Sequence, residues 1–386
     1  MRWEAYLRTF TKVLAAYPAE QPLTKFLPEY FKKHKEMGSG DRRWTSRLLY
    51  TYFRLGKACS HLPQEQRLFL AEFLCSKEEN PFLAHFRPDL AQQWALPFAD
   101  KISLLEKSEG FVLAEVFPFT AHLSAGIDTK AFLESFFVQP DLFIRIHPGK
   151  EALLKAKLTA EAIPYQELSA QTLSFANGTK LNHLLEEGLF EVQDYSSQQT
   201  ATFFEPKQYE YWWDACAASG GKSILLNQLA PDLKLLVTDL RESVLNNLDE
   251  RFKANGIRNY QRKVIDLLQN PDAILHHYEF DGIILDAPCT GSGTWGRTPE
   301  LLSQFADYRI ADFKRLQQSI AKNVVKYLKP GKPLIYITCS VFKEENEAMV
   351  EYLVKELGLR LEKQEVLSGY GHKADTLFVA RLVREV

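Results

Sequence analysis

The sequence predicts an α/β protein. Its C-terminal half reads as a parallel sheet covered by helices, preceded by a small α/β region and, before that, a helical one. Three observations predict this. From about residue 200 onward, strand and helix signals alternate, which implies parallel strands joined by right-handed helical crossovers. Residues 130–195 hold strand, helix and strand signals in quick succession. The first 125 residues space their apolar side chains by three and four. At 386 residues the chain is too long for one core. We expect domains at 1–125, 126–198 and 199–386.

In the helical region Trp3, Tyr6, Leu7, Phe10, Val13 and Leu14 form one stripe. Trp44, Leu48, Leu49, Tyr52 and Phe53 form another after the GSGD break, where Asp41 is expected to cap the helix. Pro81, Pro88 and Pro97 mark turns. In the second region DLFIRIHP reads as a strand, EALLKAKLTAEA as a helix, and TLSFANGTK as a strand ending in an Asn-Gly turn. In the third, YEYWWDA, LKLLVTD, RKVID, FDGIILDAP and LIYITC read as strands. The intervening helices are KSILLNQLA, a segment from about Glu242 to Asn255, IADFKRLQQSIAKNVVKYL, and KEENEAMVEYLVKEL after the last strand.

Composition narrows the function classes. Hydrophobic residues make up 46% and charged residues 25%, the balance of a soluble globular protein. No run of about eighteen apolar residues occurs, so no membrane span is expected. The segment MRWEAYLRTFTKVLAAY lacks a signal-peptide core. Five widely spaced cysteines (59, 75, 216, 289 and 339) suggest reduced thiols in a cytoplasmic protein, and no cluster has the spacing of a metal site. We expect a monomer. Net charge is −2, yet residues 1–60 carry twelve Lys/Arg against five Asp/Glu. Lys32, Lys33, Lys35, Arg42, Arg43 and Arg47 lie in one run, which reads either as an RNA-binding surface or as a solvated helical face.

The residues of chemical interest all fall at strand ends, where ligands of such sheets bind. DACAASGGK follows the first strand and opens a helix. Cys216, Ala217, Ala218, Ser219, Gly220, Gly221 and Lys222 form a tight small-residue turn against free helix N–H groups. The turn is neither a dinucleotide fingerprint nor a P-loop. Asp239 and Asp266 end the second and third strands and suit a ribose and an adenine amino group. Each is a helix N-cap on the blander reading. A ribose and an adenine without a phosphate site point to S-adenosyl-L-methionine. Two cysteines then follow strands, Cys289 in DAPCTGSGT and Cys339 in YITCS. Each taken alone is as well explained as a buried core residue.

Taken in order, DACAASGGK, DAPCTGSGT and YITCS resemble motifs I, IV and VI of the RNA cytosine-5 methyltransferases. QDYSSQ (193–198) and ENE (345–347) resemble further signatures of that family. The likeness covers roughly residues 130–386, and the N-terminal GSGDRRWTSRLLY more loosely resembles the NusB-like domain of Sun-type bacterial 16S ribosomal RNA members. The resemblance implies a Rossmann-like class I methyltransferase domain, an RRM-like α/β subdomain and a NusB-like RNA-binding domain. It implies S-adenosyl-L-methionine as cofactor, held also by Asp286, and RNA, specifically 16S rRNA, as partner. Cys339 is then the nucleophile on cytosine C6, Asp286 the proton donor to N3, and Cys289 the group that helps release the product. Lys222 is expected to lower a thiol pKa or orient the base. Ser219 departs from the family pattern, which has proline there, and GKP (331–333) replaces a Gly-Gly pair. Arg297, Arg145 and Lys150 are read as RNA contacts. Three alternatives stay open: a transfer-RNA substrate, an amino-group methyltransferase, and a non-catalytic RNA-binding assembly factor.

Overall fold

The computed structural model describes residues 2–19, 21–186 and 188–385. It divides into two compact units: residues 1–121, 128–139 and 295–306, and residues 122–127, 140–294 and 307–386. The helical unit therefore gathers two segments that lie beyond residue 125 in the chain. No helix among the described residues is long and apolar enough to cross a membrane.

In the helical unit the helices Arg2–Ala16, Leu23–Lys33, Ser39–Arg54 and Gln64–Cys75 bury their stripes, with Tyr6, Leu7, Phe10, Val13, Leu48, Leu49, Tyr52 and Phe53 inside. Asp41 sits in the first turn of its helix, not ahead of it, and accepts the Gly38 N–H at 3.1 Å. Buried polar groups explain the two later segments. Arg54, 4% exposed, donates to the Phe136 and Val138 carbonyls at 2.7 and 3.2 Å. The buried Glu300 accepts the Leu23 N–H at 3.0 Å. Within the basic run Lys32, Lys33, Lys35, Arg43 and Arg47 are exposed, and Arg47 also pairs with the buried Glu72 at 2.5 Å.

In the second unit a small antiparallel sheet comprises β1 (Leu142–Ile146), β2 (Gln166–Ser169), β3 (Thr172–Phe175) and β4 (Phe190–Val192), in the order β2-β3-β1-β4. Ile144, Ile146, Leu173 and Phe175 pack against Leu154 and Leu158 of the Glu151–Ala160 helix. The Asn-Gly turn forms, with Gly178 at φ +85°. Arg145 is 5% exposed and donates to Gln193 at 2.8 Å, so it is an interior group and not the surface RNA contact expected.

The large sheet comprises β5 (Tyr211–Asp214), β6 (Lys234–Asp239), β7 (Tyr260–Val264), β8 (Gly282–Asp286), β9 (Pro333–Thr338), β10 (Leu359–Leu367) and β11 (Leu377–Arg384). Its order is β10-β11-β9-β8-β5-β6-β7, parallel from β9 to β7, with β11 and β10 added antiparallel. That C-terminal pair is absent from the sequence reading. The central strands are apolar on both faces because helices cover both. Trp213, Ile283, Leu285 and Tyr336 face Ile320, Val324 and Met349, while Trp212, Ile284, Ile335 and Ile337 face Ile224, Leu226 and Leu245. The chain runs outward from β5 to β7 and then returns to place β8 on the other side of β5. In open parallel sheets such a reversal is where ligands bind, here at the carboxyl ends of β5 and β8.

Candidate active site

One corner of this sheet edge is the loop from β5 into the Gly221–Leu229 helix. Small residues let it turn back sharply: Ala218 has φ +46° and Gly220 φ +81°, a left-handed pair. The Ala218 N–H donates to Asp239 Oδ2 at 3.1 Å, and the Ala217 N–H to the Thr238 carbonyl at 2.8 Å, so β6 holds the loop. Asp239 also accepts from the Arg241 N–H at 2.9 Å and from its guanidinium at 3.1 Å. Asp214 is 1% exposed and accepts from Ser223 Oγ at 2.7 Å. Burial pushes its carboxyl up to about 7 against the lowering effect of that hydrogen bond. Its Oδ1 has no partner among the described residues, an unsatisfied acceptor at the foot of the loop.

The other corner joins the ends of β8 and β9. Asp286 registers with Ile337, and the Ala287 N–H continues the ladder to the Ile337 carbonyl at 2.9 Å. Three residues past Asp286 and two past Ile337, the chains bring Cys289 Sγ and Cys339 Sγ to 3.2 Å. Both residues are half-buried and both thiols are free. The hydrogen bond with Cys339, then burial, push the Cys289 thiol well above its ordinary value, with Glu345 adding to the effect. Lys222 Nζ meets Asp286 Oδ2 at 3.1 Å, linking the two corners.

The loop carrying Cys289 is pinned by buried groups. Gln317 donates to the Pro288 carbonyl at 3.0 Å, and Glu345 Oε2 accepts the Thr290 N–H at 3.0 Å, so both neighbours of Cys289 are held. Tyr336 Oη donates to Gln317 Oε1 at 3.1 Å and to the Glu345 carbonyl at 2.7 Å. Glu345 is fully buried, and burial pushes its carboxyl up to about 7 despite these donors. Further along, the Gly293 N–H donates to the Cys339 carbonyl at 2.9 Å. A Cβ at Gly293 would lie 1.9 Å from the Thr376 carbonyl oxygen, so only glycine fits there.

The structure thus brings together at one sheet edge Cys216–Lys222, Asp239, Asp286, Cys289 and Cys339. Three expectations change. Lys222 pairs with Asp286 while the Cys289 thiol is raised, which leaves orienting a catalytic group as the role open to this lysine. Asp266 lies two residues beyond β7, where its Oδ1 accepts the Leu268 N–H at 3.0 Å in a turn. Of the ENE segment, Glu345 and Asn346 lie ahead of the helix and Glu347 opens it, the helix running Glu347–Lys355. There Asn346 Nδ2 donates to the Ser340 carbonyl at 2.9 Å, and Glu347 accepts from Ser124 at 2.9 Å. Cys216 is half-buried in the loop, its thiol raised by burial. Among the described residues no cluster of His, Cys, Asp and Glu is arranged to hold a metal. Sequence reading did not single out Gln317, Arg251 or Glu191, which act through pairings distant in the chain.

Residues 201–383 match the family model for the 16S rRNA methyltransferase RsmB/F. These residues, just under half of the chain, are thus similar to the RsmB/F methyltransferase domain. Curated relatives that match are named ribosomal RNA small subunit methyltransferase B. The one from Salmonella arizonae is 35% identical over 164 residues, 42% of this chain and 38% of that protein. The one from Salmonella newport is 33% identical over 208 residues, 52% of this chain and 48% of that protein. The match therefore spans about half the length of these relatives, or less. Among solved structures, PH0851 superposes with a TM-score of 0.68 and 21% identity, covering 92% of this chain and 93% of that one. NSun6 from Pyrococcus horikoshii with SFG gives 0.57 at 20% identity, covering 64% and 91%. At such identities the superpositions show the fold alone.

Proposed function

We propose that this protein transfers a methyl group from S-adenosyl-L-methionine to C5 of a cytosine in RNA, with 16S rRNA as the substrate, through a covalent bond between Cys339 and C6. The observation that carries this reading is the 3.2 Å approach of Cys289 and Cys339 at the end of adjoining strands, beside the Asp286–Lys222 pair. An amino-group methyltransferase needs no thiol, and a binding factor needs none of these groups.

The residues at the β5 and β6 ends fit the cofactor. The Cys216–Gly221 turn would take its amino-acid end, close to the unsatisfied Asp214 oxygen, and Asp239 would take the ribose. Asp266 is the candidate for the adenine amino group. When bound, S-adenosyl-L-methionine supplies the methyl group to C5.

The chain's own residues supply the rest. We assign the attack to Cys339, at the end of β9, and the release step to Cys289, after β8. Cys339 gives its proton to solvent, its sulfur adds to C6, and the C5–C6 π pair shifts into the ring as N3 takes a proton, leaving C5 an enamine carbon able to accept methyl. Asp286, held in place by Lys222, exchanges the proton of ring N3. Cys289, 3.2 Å from that sulfur, then takes the C5 proton as a thiolate, and the returning electron pair breaks the C6–S bond. The base must leave its stack to reach such a site, which favours loosely paired RNA. Exposed Lys32, Lys33, Lys35 and Arg43 support an RNA-contacting role for the helical unit.

Product analysis on 16S rRNA tests this. Wild-type protein should yield 5-methylcytidine, and Cys339→Ala none while still binding cofactor. An N-methylated base, or turnover by Cys339→Ala, would refute the reading.

A further inference from the structure

The Ala218–Gly220 turn is gripped by one face of the Glu242–Ala254 helix. Leu248 and Phe252 press so closely on Gly220 that a Cβ there would lie 2.9 Å from Leu248 Cγ and 2.7 Å from Phe252 Cε1. From the same helix, between Leu248 and Phe252, Arg251 reaches across the turn. Its Nη1 donates to the Ser219 carbonyl at 2.8 Å and to Ser219 Oγ at 2.9 Å. Its Nη2 meets Glu191 Oε2 at 2.5 Å, and Asn255 Nδ2 donates to Glu191 Oε1 at 2.7 Å. Glu191 lies on β4 and is 8% exposed, so the carboxylate is a fixed anchor. The guanidinium fork thus joins the left-handed turn to the small sheet with donors aimed in both directions.

We propose that Arg251 is a positioning residue for the cofactor loop, with the Ser219 hydroxyl and Glu191 as its two anchors. The clamp rests on the reading of this loop as the S-adenosyl-L-methionine site. A proline at 219 would limit the turn covalently, by fixing φ. Serine leaves that backbone freer, and the Arg251 fork restrains it from outside instead. The clamp touches no reacting atom, so its effect falls on cofactor affinity. Ordering the loop only on binding would cost affinity that the pre-set loop keeps.

Calorimetry with S-adenosyl-L-methionine, together with steady-state kinetics, tests this on the full chain. Arg251→Ala should weaken binding roughly tenfold, the effect of losing charge-assisted hydrogen bonds. The change should appear in KM for the cofactor and not in kcat. Ser219→Ala keeps the carbonyl contact and should weaken binding roughly threefold. Adding Ser219→Pro to Arg251→Ala should recover most of the loss, which a merely structural role for Arg251 does not predict. Unchanged affinity in Arg251→Ala, or a loss that falls on kcat, would overturn the proposal. If the double variant fails to fold, judged by circular dichroism, the single variants decide alone. A wild-type protein that does not bind the cofactor would instead overturn the cofactor reading on which the clamp rests.

Discussion

The two corners of the sheet edge are held in different ways. At the thiol corner, Glu345, Gln317 and Tyr336 are buried and their hydrogen bonds are closed to water. At the cofactor corner the restraint comes from Arg251, a partly exposed guanidinium bridging Ser219 and Glu191. On the proposed function, the difference follows from what each corner must do. A sulfur that attacks a ring carbon needs its partner groups fixed before the RNA arrives. A cofactor loop must admit and release a ligand at every turnover, so a restraint that water can reach suits it.

The comparison can be broken most strongly at Glu345. Replacing it with alanine unties the Thr290 N–H and one side of the loop holding Cys289. Turnover should fall roughly a hundredfold with cofactor affinity preserved. Glu345→Gln keeps an acceptor for that N–H and should retain most of the activity. Equal losses in the two variants would show that the charge, and not the anchoring, matters.

Lys222→Met should come next. It leaves Asp286 without its cation and should lower kcat by roughly thirtyfold, read by single-turnover methylation with saturating cofactor. A loss confined to cofactor affinity would move Lys222 to the other corner.

The pH dependence of stability sharpens the contrast. The folded-state carboxyls of Glu345 and Asp214 are both raised to about 7 by burial. The folded protein therefore binds more protons than the unfolded chain between about pH 4.5 and 7. In that window stability from these groups is greatest at the acid end and is lost as pH rises. His147 is lowered by burial and pulls the opposite way. The informative measurement is thus a difference: Glu345→Gln should gain thermal stability relative to wild type at pH 8 and not at pH 5. An equal gain at both pH values would contradict the buried, proton-holding carboxyl.

The smallest effect is that of salt. Raising ionic strength should weaken S-adenosyl-L-methionine binding by less than about threefold without RNA present, because the Arg251–Glu191 pair is only partly screened. Adduct formation by a bound RNA should not change.

Much of this was legible before the structure. Four of the five parallel strands declare themselves because burial on both faces demands continuous apolar runs, as in GIILD and LIYIT. The loop at 216–222 is readable because only small residues turn that tightly. β10 is harder, since an edge strand alternates charged and apolar residues, as LRLEKQEVL does. Arg145 illustrates a limit of charge reading: burial and pairing with Gln193 make a cation internal, and neither is visible in the one-dimensional sequence. The same holds for Gln317, whose helix reads only as amphipathic while its amide grips a loop twenty-nine residues earlier. Arg251 likewise reads as a solvated helical charge. Its function comes from β4, sixty residues before it.

The division of labour between the two sulfurs is tested most directly by denaturing electrophoresis of protein mixed with 16S rRNA and S-adenosyl-L-methionine. Cys289→Ala should leave RNA covalently attached, seen as a band of retarded mobility, and combining it with Cys339→Ala should remove that band. A retarded band that persists without Cys339, or none in Cys289→Ala, would contradict the account.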